Sequence, residues 1–366
     1  MSALRVLLPL VALLASSAAP AERWRLQYFY DADNSSLALA DLQFPTPQLG
    51  MAVGYLIKAN KFLPGGVVTR DGGRSWSPLA LPHAGLSLFF LDQSLGWLIA
   101  TDGSIWKTTE FGRDWKHLAS LPGARRILFV DEKRGWAVGA RKSIWESSDG
   151  GRHWLKLPVA DQPKTARDST TYSCIAFANP KTGLIAGWSK RALVRRRPDW
   201  LAPESRPREL PSVSLLLNTR DGGAHWGVAE GSLFGRVTQA RIAPDGRGLN
   251  LIEFWDVFDW PSEVYRFDWR TGHTERAFRE KDRAVTDIAL PSPGPAYLAA
   301  IEPPGKLLQS PIPGKLKILR SDDLSHWQEM EVDYRAVARR AFLAAPDAAN
   351  LWVATDTGMI LHLVSE

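Results

Sequence analysis

Ser147-Ser148-Asp149-Gly150-Gly151-Arg152-His153-Trp154 decides the fold, because the chain repeats it. It appears earlier as Thr69-Arg70-Asp71-Gly72-Gly73-Arg74-Ser75-Trp76 and as Thr108-Thr109-Glu110-Phe111-Gly112-Arg113-Asp114-Trp115. It returns later as Thr219-Arg220-Asp221-Gly222-Gly223-Ala224-His225-Trp226. Trp115 follows Trp76, and Trp154 follows Trp115, by 39 residues each time. A fixed period of about forty residues signals a repeat architecture. Between the phrases lie short apolar or alternating runs bounded by Gly, Asp and Pro, such as Arg126 to Val130, Gly135 to Gly139 and Ser143 to Ser147. Runs of four to six residues with these boundaries read as strands.

Four short strands per period describe a propeller blade, and counting along the chain gives seven. Blades one to three run from about 37 to 79, 86 to 119 and 125 to 158. Blades four, five and six start near 172, 237 and 285. Blade six ends in a degraded phrase, Arg320-Ser321-Asp322-Asp323-Leu324-Ser325-His326-Trp327. Blade seven has three strands of its own at the C-terminus. Residues 23–29 are expected to supply its outer strand, closing the ring and removing an open sheet edge. The predicted fold is therefore an all-β, seven-bladed β-propeller with four-stranded antiparallel blades, closed by the N-terminal strand.

The start of the chain reads as a targeting segment. Arg5 precedes an apolar run from Val6 to Leu14, and Ala19-Pro20-Ala21 fits a small-x-small cleavage site. The run is too short to span a bilayer. Residues 1–21 are thus expected to be a signal peptide. Residues 22–366 then form one propeller in a periplasmic or equivalent extracytoplasmic space, without stable membrane insertion. Polar, Pro- and Arg-rich insertions near 161–171 and 191–211 are expected to be mobile. The single cysteine, Cys174, excludes an internal disulfide and sits in an apolar run, as a buried small side chain would. The net charge of +6 is too small by itself to imply nucleic acid.

The phrase has a mechanical reading. Asp71, Asp149 and Asp221, with Glu110 in their place in the second copy, accept backbone N–H groups of their own turn. The glycines supply positive φ, and Trp76, Trp115, Trp154 and Trp226 pack between neighbouring blades. These residues resemble the Asp-box of BNR-repeat propellers, Ser/Thr-x-Asp-x-Gly-x-x-Trp. Asp-boxes recur in sialidases, sortilin-type receptors, xyloglucan-cleaving enzymes and a family of photosystem II assembly and stability factors. That last family is similar in layout: one seven-bladed propeller with an export signal and a Gly-Trp-x-Val-Gly run, here Gly135-Trp136-Ala137-Val138-Gly139. The resemblance implies a non-catalytic binding protein with an arginine-rich patch for a membrane-complex client.

Enzyme motifs are sparse. His153, His225 and His326 precede the closing Trp on different blades, so no histidine metal site is expected, and no cofactor is implied. The Arg-Ile-Pro sequence of sialidases is absent, the region reading Asn34-Ser35-Ser36-Leu37-Ala38. Glu253, Asp256 and Asp259 lie among aromatics and could suit a sugar site, where two acids flank the scissile bond. A solvated strand and turn explains them as well. Sialidase-like hydrolysis or glycan binding is the alternative function.

Basic residues sort to one face. In a propeller the innermost strand of each blade starts at one pole, here called the upper pole. The turns between strands two and three also lie there, and the repeated phrases lie at the lower pole. Upper-pole starts carry Arg125 and Arg126, Arg236 and Arg241, Arg283, and Arg335 with Arg339 and Arg340. The blade-four insertion adds Arg191, Arg195, Arg196 and Arg197, and Lys58 and Lys61 lie in blade one. Arg126, Arg191, Arg195, Arg196, Arg197, Arg241 and Arg340 are the candidate binding residues. Their guanidinium forks suit the carboxylates of an acidic protein segment. No nucleic-acid partner is expected, and the protein is expected to be a monomer.

Overall fold

The computed structural model describes residues 22–32, 34–190, 211–254, 260–304, 312–332 and 335–365. Seven antiparallel sheets stand around a central axis. Their inner strands are Ser35–Gln43, Gly85–Phe90, Ala124–Phe129, Thr170–Phe177, Arg236–Ile242, Ala284–Ala289 and Ala341–Ala344. Each inner strand touches the next, and the seventh touches the first, so the ring is closed. Glu22–Phe29 pairs antiparallel with Met359–Ser365, as the outer strand of blade seven. Blade six departs from the four-stranded pattern, because Val337–Ala338 adds a fifth, two-residue pairing against Gly314 and Lys315.

The hairpin phrases act through a repeated set of bonds. Thr69 Oγ1 accepts the Gly73 N–H at 2.8 Å and donates to Asp71 Oδ1 at 2.8 Å. Asp71 Oδ1 also accepts the Ser75 N–H at 2.9 Å. The Ser75 hydroxyl and amide hold the Asp71 carboxyl down to about 2. Ser147, Asp149 and Gly151 repeat this geometry, as do Thr219, Asp221 and Gly223. In the second copy Thr108 still accepts the Gly112 N–H at 2.9 Å, with Glu110 in place of the aspartate. Phe111 there takes φ 49°, and Leu324 takes φ 61° in the glycine-free blade-six copy. That copy is not inert. Asp323 accepts the amides of Ser325 and His326, both at 2.8 Å.

The closing tryptophans reach across blade borders as expected. Trp76 lies 6.3 Å from Tyr28 of the closing strand, and Trp226 lies 6.3 Å from Trp136. All four are only half-buried, however. Among the described residues the fully buried tryptophans are Trp97, Trp136 and Trp352. Each sits on the second strand of its blade and stacks on the phenylalanine at the lower end of the next blade's inner strand. The centroid distances are 3.7 Å for Trp97 on Phe129, 4.7 Å for Trp136 on Phe177 and 3.8 Å for Trp352 on Phe44. The last stack crosses the seam between blades seven and one. The glycine opening the second strand leaves room for that phenylalanine. A Cβ at Gly135 would lie 2.4 Å from Phe129, and one at Gly50 would lie 2.2 Å from Phe44.

The first insertion is not loose. It forms two 3-10 turns, Pro158–Asp161 and Arg167–Ser169. The buried Lys142 donates to Pro163 O at 2.6 Å, and the Tyr172 hydroxyl donates to Ala160 O at 2.8 Å. These ties correct the expectation of mobility there. The second insertion lies outside the described residues.

The seam carries a titratable group. His362 stacks on Trp352 at 4.1 Å, and Gln27 joins both, donating to His362 Nδ1 at 3.2 Å and accepting from Trp352 Nε1 at 3.2 Å. Burial, with Arg25 nearby, lowers the imidazole to about 4 from the ordinary 6.5. Below about pH 6.5 the unfolded chain takes up a proton that the folded seam refuses until about pH 4. Stability therefore rises with pH through this window and is lost on acidification. With discounting for partial exposure, the effect is about 1–2 kcal/mol. Urea midpoints measured between pH 7 and 4.5 should show this slope reduced in His362→Phe, which keeps a ring over Trp352 but cannot titrate. Equal slopes in both proteins would remove His362 from the explanation.

Candidate functional site

Two cavities contain the described arginine candidates. The first is the central channel, about 250 Å³, lined by side chains from all seven inner strands. Six of these strands carry a bulge, and the residue after it lines the channel. The resulting ring is Asp41, Ser87, Arg126, Cys174, Gln239 and Asp287. Phe342 takes the seventh place, because Asp287 bonds the Leu343 amide just as Asp41 bonds the Leu88 amide, both at 2.8 Å.

The two aspartates tie neighbouring blades. Asp41 bonds its own blade at the Leu42 amide, 2.9 Å, as well as blade two. Burial pushes its carboxyl up, outweighing the Arg126 charge and the Leu88 amide. Cys174 is buried as expected, and burial pushes its thiol up to about 11, far from a reactive thiolate.

Arg126 and Arg241 both reach this channel but at different depths. Arg126 is half-buried near the upper mouth. Arg241 is a correction: it is the next-to-last residue of Arg236–Ile242, so it lies well down the wall, 3.5 Å from Asp287 Oδ1. The inner strand of blade five begins at Arg236, and that residue takes the upper-pole place.

The second cavity, about 370 Å³, opens at the upper pole between blades five, six and seven. Its charged lining is Arg236, Arg339, Arg340 and Glu253, with apolar walls that include Phe254, Pro303 and Ile312. Glu253 is clamped at both oxygens. Arg340 Nη2 donates to Oε1 at 2.8 Å and Arg236 Nη2 to Oε2 at 3.1 Å. Burial pushes this carboxyl up, but the Arg340 and Arg236 charges and bonds outweigh it and hold it below the ordinary glutamate range. A glycosidase acid needs the opposite shift. Arg339 is turned aside to Asp356, at 2.9 Å through its amide and 3.3 Å through Nε.

The structure thus divides the described candidates between two cavities: Arg126 and Arg241 in the channel, Arg340 in the upper pocket. Arg191, Arg195, Arg196 and Arg197 lie outside the described residues, as do Asp256 and Asp259. The histidines of the hairpins are each engaged locally. His225 Nδ1 sits 2.7 Å from Asp221 Oδ2 and His326 Nδ1 2.6 Å from Asp323 Oδ2. Among the described residues no group of three His, Cys, Asp or Glu side chains could hold a metal.

Sequence reasoning passed over Asp41, Gln239 and Asp287. The available signal was a carboxylate or amide inside an apolar inner-strand run, as in Val285-Thr286-Asp287-Ile288. Strict alternation could not place it, because each bulge shifts the register by one residue.

This arrangement defines the class: a closed seven-bladed propeller with a charged axial channel and an arginine-rich upper pocket. No protein-family model matches the chain, and no curated protein matches it by sequence. Solved structures do. A YCF48 protein bound to a D1 peptide superposes with a TM-score of 0.58 at 16% identity, covering 95% of this chain and 100% of its own. YCF48 from Cyanidioschyzon merolae gives 0.58 at 14% identity, over 94% and 98% of the two chains. The GH74 xyloglucanase from Xanthomonas campestris gives 0.60 at 13% identity, over 93% of this chain and 53% of the enzyme. At such identities the likeness defines the fold.

Proposed function

We propose that this chain is an exported, non-catalytic propeller that holds a protein client, an acidic segment of a membrane-complex subunit, against the arginines of its upper pole. Its role is that of an assembly or stability factor. The observation that carries the reading is the charged lining of the upper pocket, where Arg236 and Arg340 share the single carboxylate of Glu253 and Arg339 lies against Asp356. With Glu253 already spanning Arg236 and Arg340, the site keeps an excess of positive charge beside apolar walls. An anionic peptide bearing apolar side chains matches both. The similar fold of a YCF48 protein that binds a D1 peptide supports a peptide-holding role. Export follows from the signal-like residues 1–21, whose removal would leave Glu22 at the start of the closing strand.

Affinity capture from the native extracytoplasmic fraction tests this, with bound proteins identified by mass spectrometry. Arg125 and Arg126 changed together to Glu, and separately Arg195, Arg196 and Arg197 changed to Glu, should each weaken capture by roughly tenfold or more. Both sets leave the Glu253 clamp intact. Unchanged capture by folded protein in both variants would overturn the arginine-face reading. Glycoside turnover in a chromogenic screen would overturn the non-catalytic one in favour of a glycan-processing propeller.

A further inference from the structure

Blade one is built differently from its neighbours at the upper pole. Its second and third strands, Gly50–Lys58 and Lys61–Thr69, have nine residues each, where blade two has five in Gly96–Ala100 and in Ser104–Thr108. Both hairpins start from the same register at the lower pole, Gly50 opposite Thr69 and Gly96 opposite Thr108. The four extra residues per strand therefore carry blade one about 13 Å further than the turn of blade two. The tip is a two-residue turn with Ala59 at φ 48° and Asn60 at φ 59°, the left-handed pair of a tight hairpin that follows strand twist.

The raised part is apolar and unshielded. Phe62 is 70% exposed and Leu63 41% exposed, and Tyr55 packs edge-on against Phe62 at 5.4 Å. Lys58 and Lys61 face each other across the turn, both exposed. Among the described residues four other large exposed apolar side chains lie at the same pole, whereas Leu26 and Leu216 sit mid-strand. Phe29 ends the closing strand there, Phe234 links blades four and five, and Ile312 and Val337 lie in connections of blades six and seven. Among the described residues only Leu155 is such a side chain beside a lower-pole hairpin.

We propose that this hairpin seats the upper pole on an anionic bilayer surface. A narrow tip offers a peptide no groove, but it can enter the boundary between headgroups and acyl chains. Phe62 and Leu63 would occupy that boundary while Lys58 and Lys61 extend back to lipid phosphates. Arg125, exposed two blades away at the same pole, adds positive charge there. This docking needs no protein client, so it stands or falls separately from the function proposed above.

The test is co-sedimentation of the full chain with vesicles of phosphatidylglycerol and phosphatidylcholine, against phosphatidylcholine alone. Binding is expected only to the anionic vesicles. Lys58→Glu with Lys61→Glu should weaken it by roughly tenfold or more. Phe62→Ser with Leu63→Ser should weaken it to a similar degree. Arg152→Glu, an exposed change at the lower pole, should leave it unaltered. Circular dichroism and thermal melts establish that each variant is folded, and the lysine pair at the exposed tip keeps the test decisive if the apolar pair unfolds. No binding by the wild-type chain overturns the proposal, as does full binding by the lysine variant or an equal loss in Arg152→Glu. If the wild-type chain ignores vesicles while hairpin variants lose a captured protein, the hairpin is a protein-docking element and the lipid proposal fails.

Discussion

Replacing Trp136 by alanine is expected to destabilise the fold by about 3–5 kcal/mol, while Trp154→Ala should cost about half as much or less. The order reverses what the repeated phrase suggests, because Trp154 closes a hairpin and Trp136 does not. Trp136 is fully buried, lies over Phe177 at 4.7 Å, meets Trp226 edge-on, and fills space that a Cβ at Gly223 would invade at 2.7 Å. Its removal opens a cavity between blades three and four that rigid sheets cannot close. Trp154 is half-exposed and shares its environment with solvent. Gly135→Ala should act on the neighbouring stack by pushing Phe129 off Trp97, costing about 1–3 kcal/mol as overpacking. Urea midpoints followed by circular dichroism measure all three. A larger loss in Trp154→Ala than in Trp136→Ala would move the main inter-blade contact back to the hairpins.

Removing residues 22–29 is expected to abolish the monomeric fold. The strand contributes more than pairing. Gln27 bridges Trp352 and His362, and Glu22 accepts from Arg320 of blade six at 3.0 Å. Without it, Met359–Ser365 becomes an open edge, and the tryptophan cluster of the seam loses Tyr28 and meets water. The loss should exceed about 5 kcal/mol, comparable with the whole margin of a typical domain. Gel filtration should show aggregates or larger assemblies of the truncated chain, and a synthetic peptide of residues 22–31 should restore monomer. A truncated monomer with an unchanged melting temperature would show that the seam is held by the side-chain stack alone.

Much of the fold was legible because its signals are local. A Ser or Thr, an Asp and two glycines within five residues carry their own hydrogen-bond partners, so the hairpins could be read without any neighbour. The spacing of 39 residues then gave the blade, and the C-terminal deficit of one strand pointed to residues 23–29 for closure. The glycine-free copy in blade six still works through Asp323 because the carboxylate, one position later, reaches the same kind of amides.

The site was less legible, because its chemistry is non-local. Glu253 reads as a free acid in Glu253-Phe254-Trp255-Asp256. Only the ring brings Arg340, 87 residues away, onto its oxygen and fixes it as a clamped anion. Arg241 reads as a surface residue until the strand boundaries set it down the channel wall, and Asp41 and Asp287 become blade ties only because bulges turn them toward the next strand's amides. What the amino-acid order determined by itself was the repeat and the number of blades, since those rest on bonds within a few residues, and the direction of closure, since the last blade lacks one strand of its own. Which side chains share a cavity, which aromatics bear the load between blades and which charges stay available for a partner were decided by the closed ring, because only closure brings residues of different blades within bonding distance.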